Sequence, residues 1–154
     1  MTSLSRILNQ IIKEDRMGIT IKNREKSIDM GCGGFMNLRR NIAKLLSNEF
    51  GVLYENWCRP CSPITDEEGN KILKKFYQDG ILTDNDDVII EFLFASDIDG
   101  KITAEGCKRL YELIKDYDDN ILYGYVMRPD CAKFSDFKEI IRKSAENNWI
   151  VKWY

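Results

Sequence analysis

Apolar residues recur every three or four positions in six segments of the chain, and this spacing predicts six helices. The first is expected over roughly 3–15, with Ser3 as its N-cap. The second is expected from about Phe35 and closes near Gly51. The other four follow residues whose side chains are typical of helix caps, namely Thr65, Thr83, Thr103 and Ser135.

Short stretches between the predicted helices alternate apolar and polar residues, which is typical of β-strands. Residues 19–22 alternate in this way, residues 121–127 are expected as strand or extended chain, and residues 149–154 as a closing strand. A polar loop is expected from 23 to Gly31. We therefore predict an α+β fold, mostly α, with about six helices and two or three short antiparallel strands in a single domain over residues 1–154.

The composition is that of one globular domain. The chain has 154 residues, 44% of them hydrophobic and 31% charged. It holds no apolar run long enough for a membrane span, and its first residues lack the order of a signal peptide. Its five cysteines are an odd number, so reduced thiols in the cytoplasm are expected.

Charge is divided unevenly along the chain. Residues 1–50 carry a net charge of +4, residues 51–154 carry −6, and the whole chain carries −2. This total is not that of a nucleic-acid binder. A mildly basic face would suit an acidic partner, and the acidic C-terminal portion would suit a basic partner surface.

The chain contains no histidine. Histidine is the commonest general base and the commonest metal ligand in proteins. Its absence excludes a Ser-His-Asp or Cys-His catalytic site within one chain. No resident cofactor is expected.

A glycine-rich turn at 27–34 resembles the first motif of S-adenosylmethionine-dependent methyltransferases. In such motifs glycines allow the turn to approach the cofactor closely, and the helix N-terminus faces it. The polar residues before the turn and the missing strand–helix alternation argue against this interpretation. The candidate residues for binding an anion or cofactor are Gly31, Gly33, Gly34, Arg39 and Arg40.

Cys58 and Cys61 form a CxxC pair beside Trp57 that resembles the thioredoxin motif. Redox chemistry there needs a helix N-terminus that lowers the pKa of the first thiol. The next helix is expected only near Asp66, so a loop with two cysteines is the simpler interpretation. As a zinc site the pair is half complete.

The segment around Gly100 resembles a degenerate EF-hand loop between two helices. Its candidate metal ligands are Asp97, Asp99 and Glu105. Calcium needs six to eight oxygens, and the carboxylate at the last loop position is displaced by one residue here. A turn that Thr103 closes by capping the next helix is the alternative.

Three aromatic residues close the sequence, Trp149, Trp153 and Tyr154. They are candidates for an exposed interface, because tryptophan and tyrosine are favoured at interfaces. A terminal strand packed on the core is the alternative.

Four segments of the chain carry a further resemblance, namely residues 27–39, 92–97, 115–125 and 134–138. Taken whole, the chain resembles an uncharacterised family of small proteins from low-GC bacteria and their mobile elements. The resemblance covers most of the chain from residue 19 onward and implies one intact domain, but no catalytic residue.

These observations together predict a small, non-enzymatic cytoplasmic protein that binds another macromolecule. A protein partner is expected, in an accessory, regulatory or inhibitor-type role that the family resemblance links to mobile elements. Neither a membrane nor a nucleic acid is expected as the partner. The alternative is an enzyme that binds S-adenosylmethionine or exchanges thiols.

Overall fold

The computed structural model describes residues 18–58, 61–96, 98–124 and 131–154. The helix predicted over 3–15 lies outside the described residues. Positions 125–127 of the predicted extended segment lie outside them as well.

Four short strands form one antiparallel sheet with the order β2-β1-β4-β3. The last strand of the chain therefore lies between the first and the third. The register pairs Ile21 with Trp153, and Ile102 with Val151. The strands are β1 (Gly18–Lys22), β2 (Ser27–Gly31), β3 (Gly100–Ile102) and β4 (Val151–Trp153).

Six α-helices complete the described part of the fold, so the α+β prediction is confirmed. A 3-10 helix at Asp84–Asp86 leads directly into the fourth of them. The helices are α1 (Cys32–Leu46), α2 (Asn48–Trp57), α3 (Asp66–Gln78), α4 (Asp87–Phe94), α5 (Ala104–Ile114) and α6 (Phe134–Asn147).

The helices and one face of the sheet share a single hydrophobic core. Every second strand residue is buried in it, because successive side chains of a strand point to opposite faces. The sheet contributes Ile19, Ile21, Ile28, Met30, Ile102, Val151 and Trp153, and the largest helical members include Phe35, Phe50, Phe134 and Phe137.

Two of the predicted helix caps are confirmed by their hydrogen bonds. The Thr65 hydroxyl accepts from the backbone N–H of Glu68, and the Thr103 hydroxyl accepts from that of Gly106, each at 3.1 Å. Thr83 lies at the predicted boundary, and its own N–H donates to the Asp86 carboxylate at 3.0 Å.

The polar loop expected up to Gly31 is wrong in its second half, because residues 27–31 form β2. Ile28 and Met30 are buried in the core, whereas Ser27 and Asp29 are exposed. Two apolar residues at alternate positions are enough to bury one face of a short edge strand. So few apolar residues among polar ones also fit a loop, which explains the error.

The sheet therefore has four strands instead of the two or three expected, because neither β2 nor β3 was predicted. Of the segment expected as strand or extended chain, residues 121–124 form an isolated bridge between Leu122 and Lys133 rather than a strand.

The helix expected to close near Gly51 is two helices. The first ends at Leu46, and Ser47 caps the second by accepting from the N–H of Phe50 at 3.3 Å. Gly51 lies inside α2, where its lack of a side chain lets the helix approach Lys44. The glycine thus marks close helix packing rather than a helix end.

Ser135 is not the cap of the last helix. The helix begins at Phe134, and Lys133 is its N-cap. The N–H of Lys133 donates to the Asp136 carboxylate at 2.9 Å. A carboxylate in the first turn therefore accepts the hydrogen bond of the N-cap backbone N–H.

None of the helices in the described residues combines the length and the apolar character that a membrane span requires.

Candidate interaction surface

Three lysines form a row across the exposed face of the sheet. Lys152 on β4 lies directly opposite Lys22 on β1 and directly opposite Lys101 on β3. Side chains that oppose each other on antiparallel strands share a face, with β-carbons about 4.5–5.5 Å apart. All three lysines are exposed, so the row presents its charges to solvent.

Strand alternation and register together produce this row. Each lysine is next to a buried aliphatic residue of its strand, namely Ile21 for Lys22, Val151 for Lys152 and Ile102 for Lys101. The adjacent lysine must therefore point away from the core. Only the pairing of three strands then brings the lysines into one line, because they are far apart in the chain.

The charge of the row is not offset by an ion pair within the described residues. Asp29, opposite Thr20 in the register, accepts a hydrogen bond from the Thr20 hydroxyl at 2.8 Å. Within the described residues, none of the three lysines forms an ion pair, and neither does the nearby Arg24. Like charges placed directly opposite each other destabilise a sheet.

An open cleft of about 540 Å³ adjoins the row. Lys22, Arg24 and Lys152 line it together with Trp149 and Ile150. Ile150 is 48% exposed, which is high for a large aliphatic residue. The cleft therefore combines cationic groups with apolar surface.

Tyr154 extends the same face beyond the end of β4. Its backbone exchanges two hydrogen bonds with Thr20, at 2.9 and 3.0 Å. The Lys22 ammonium lies 5.2 Å from the centre of its ring, a distance at which a cation and an aromatic ring attract each other. We call Lys22, Arg24, Lys101, Trp149, Lys152 and Tyr154 the basic sheet face.

Of the three aromatic residues predicted as an interface, Trp153 is excluded because it is completely buried. Its ring packs against Phe35 and Phe92, with centroid distances of 5.8 and 5.5 Å. Its indole N–H donates to the backbone carbonyl of Ser96 at 2.8 Å. Trp149 and Tyr154 remain accessible and belong to the basic sheet face.

The glycine-rich turn occupies a different setting from that of a dinucleotide or S-adenosylmethionine site. Its preceding strand, β2, is an antiparallel edge strand. A β-carbon on Gly34 would overlap the backbone carbonyl of Tyr123, whereas one on Gly33 would meet open space. Gly34 thus permits close packing of the protein against itself, while Gly31 is the N-cap of α1.

Arg39 and Arg40, the two arginines among the candidates for binding an anion, differ in exposure. Arg39 is 4% exposed, and its guanidinium carbon lies 4.4 Å from the centre of the Phe35 ring. Arg40 is half-buried. Both arginines line a separate cleft with Met36 and Phe94.

Cys58 and Cys61 are exposed and are not joined by a disulfide. Cys58 is the C-cap of α2, so it lies at the C-terminal end of a helix. Redox motifs of the thioredoxin type instead place the first cysteine at a helix N-terminus. Their geometry does not assemble a thioredoxin-like site.

Two of the three candidate calcium ligands lie in the described residues. Glu105 is in the first turn of α5, and its carboxylate accepts from the Lys108 ammonium at 3.1 Å. Asp99 precedes β3, which pairs with β4 rather than with a second metal-binding loop. Asp97 lies outside the described residues, and no group of three or more acidic or cysteine side chains within them could hold a metal ion.

Sequence reasoning did not identify Lys22, Lys101 and Lys152 as a group. Each belongs to a recognisable strand or turn, but their alignment depends on strand order and register. No protein-family model matches the chain, and neither a curated protein nor a solved structure matches it. We therefore infer function from the contacts of the chain itself.

Proposed function

We propose that this protein acts by binding another protein, and that the basic sheet face contacts an acidic surface of that partner. The observation that carries the proposal is the row in which Lys152 opposes both Lys22 and Lys101. Without a bound partner, the row destabilises the sheet, because its like charges repel each other. Carboxylates from a partner would convert the repulsion into attraction.

The aromatic residues beside the row support a protein interface. Tyrosine and tryptophan provide large contact area at a small cost in conformational entropy, and they are enriched where binding energy concentrates. Trp149 and Tyr154 flank the lysines, and Ile150 adds apolar surface in the same cleft. A partner can therefore bury apolar groups between charged ones.

The acidic excess of residues 51–154 does not extend to every part of their surface. Lys101 and Lys152 belong to that portion and lie on the basic sheet face. The net charge of −6 on residues 51–154 suggested a basic partner surface for that portion. The location of these two lysines favours an acidic partner instead.

The test uses a fluorescently labelled polyglutamate peptide as the probe, with binding followed by anisotropy at several salt concentrations. We expect binding that weakens as salt rises, because exposed charges are screened. The double variant Lys22→Glu with Lys152→Glu should abolish it. The matched control, Lys74→Glu with Lys75→Glu on α3, changes the net charge equally and should leave it intact.

Equal loss of binding in both double variants would show that only total charge matters and would overturn the proposal. A labelled oligothymidylate of similar charge serves as a second probe. Tighter binding of the oligothymidylate than of polyglutamate would also overturn the proposal that the partner is a protein. It would indicate a single-stranded nucleic acid as the partner instead.

A further inference from the structure

A second cleft, of about 240 Å³, lies on the helical side of the molecule. It is formed by α1, by the C-terminal end of α2 and by the end of α4. Met36, Arg40, Tyr54, Cys58 and Phe94 are among the residues that line it. None of these residues belongs to the basic sheet face.

Phe94 forms a fixed aromatic wall of this cleft. It is 37% exposed, although its ring lies 5.0 Å from that of Trp57 and 5.4 Å from that of Tyr54. The Tyr54 hydroxyl donates to the backbone carbonyl of Leu93 at 2.8 Å. This bond fixes Tyr54 against the end of α4.

Trp57, the other support of Phe94, is held from two sides. Its indole N–H donates to the Asp66 carboxylate at 3.0 Å. Its ring lies where a β-carbon on Gly69 would be, so the indole packs directly on α3. An exposed ring supported in this way is pre-organised, which lowers the entropy cost of binding to it.

Two arginines line the cleft, Arg39 and Arg40. Arg39 is buried, whereas Arg40 is half-buried and forms no ion pair within the described residues. No carboxylate among those residues lines the cleft. The charge complement of the site is therefore an anion placed next to an apolar group.

We propose that this cleft binds a segment of a partner protein that carries a large apolar side chain next to a carboxylate. The apolar side chain packs against Phe94 and Met36, and the carboxylate pairs with Arg40. The volume favours one anchoring side chain over a small-molecule ligand, because drug-sized ligands occupy pockets of about 300–1,000 Å³. The proposal is independent of the basic sheet face.

The test uses two blocked dipeptides as probes, N-acetyl-phenylalanyl-aspartyl amide and its asparaginyl counterpart. Binding is followed by amide chemical shifts in a two-dimensional NMR spectrum. We expect shifts at Arg40, Phe94 and Ala95, with the aspartyl probe binding roughly tenfold more tightly, as an Arg–carboxylate pair implies. Arg40→Gln should remove this preference.

The matched control is Arg24→Gln, which removes one positive charge from the basic sheet face instead. It should leave the preference for the aspartyl probe unchanged. Equal binding of the two probes to the natural protein, or shifts confined to the basic sheet face, would overturn the proposal. Shifts confined to the basic sheet face would at the same time support the proposed function, so the two proposals can fail separately.

A second measurement uses Cys58, which lines the cleft, as a chemical reporter. Cys32, Cys61 and Cys131 are replaced by serine, so that Cys58 is the remaining accessible thiol. Alkylation of Cys58 should slow several-fold when the aspartyl probe is present. An unchanged rate at saturating probe would contradict occupation of the cleft.

Discussion

Gly100 pairs directly with Trp153 across β3 and β4, and the indole ring covers the glycine α-carbon. A β-carbon at position 100 would overlap that ring. The glycine at the centre of the segment that resembles an EF-hand loop is therefore required by packing between two strands. An aromatic ring that covers a cross-strand glycine also helps to fix strand register.

Gly100→Ala should accordingly destabilise the protein by about 2 kcal/mol, because the core must shift to admit the methyl group. The free energy of unfolding from urea titration measures this effect. Lys101→Ala on the same strand serves as the control, since its side chain is exposed and its removal relieves repulsion. Equal stability of Gly100→Ala and the natural protein would contradict the packing role.

The neighbouring glycines of the glycine-rich turn should respond in opposite directions. Gly34→Ala should cost about 2 kcal/mol, because its β-carbon overlaps the carbonyl of Tyr123. Gly33→Ala meets open space and should be neutral or stabilising by about 0.5 kcal/mol, since alanine is the better helix former. Thermal unfolding of the two variants distinguishes these outcomes.

An S-adenosylmethionine site predicts a different pattern for the same two variants. Both would then lose a ligand-induced rise in Tm. We expect no such rise in the natural protein, and a rise of several degrees with saturating S-adenosylmethionine would contradict the packing explanation.

Asp136 should make stability depend on pH. Burial opposes the ionised carboxylate, but hydrogen bonds from the Lys133 N–H and the Lys26 ammonium outweigh it and lower the pKa of Asp136. A carboxyl group with a lowered folded-state pKa stabilises the protein above its unfolded pKa. That contribution is lost as the pH falls through the lower folded-state value.

Asp136→Asn should therefore cost about 1 kcal/mol at neutral pH, the usual value of a helix cap, and should flatten the loss of stability in acid. Urea titrations at a series of pH values measure both effects. Asp99→Asn is the control, because Asp99 is exposed and caps none of the helices in the described part of the chain. Parallel pH profiles for Asp136→Asn and the natural protein would refute this role.

Cys107 should be unreactive until the protein unfolds. It is completely buried in α5, and burial raises the pKa of its thiol to about 12. Thiolate is the reactive species, so both access and ionisation are suppressed. Cys32, Cys58 and Cys61 are exposed and should react rapidly with a thiol reagent in the native protein.

The measurement for Cys107 is the number of thiols labelled before and after addition of denaturant. Mass spectrometry of the labelled peptides identifies each cysteine. Labelling of Cys107 at the rate of the exposed cysteines would show that α5 opens in the native state.

Much of the fold could be predicted from local patterns. The caps at Thr65 and Thr103 and the strands at both ends of the described chain follow from short-range chemistry. Two of the errors share a physical source. The strand at 27–31 and the helix through Gly51 depend on contacts with distant elements, and these contacts override the local preference of polar residues and glycine.

The candidate sites also differ in how much of them local patterns could predict. Sequence motifs singled out glycines and cysteines whose roles in known sites depend on a surrounding fold. Gly34 and Gly100 instead accommodate the protein's own backbone and an indole ring. Trp149 and Tyr154 were identified as interface candidates and are accessible, whereas their neighbour Trp153 belongs to the core.

The sequence by itself determined the α+β class, most helices and the absence of histidine chemistry, because periodicity, capping and composition are local or additive properties. Only the tertiary structure decided that Lys22, Lys101 and Lys152 form one row and that Phe94 and Arg40 share a cleft. Strand order, register and helix packing bring together residues that are distant in the chain. No local pattern contains that information.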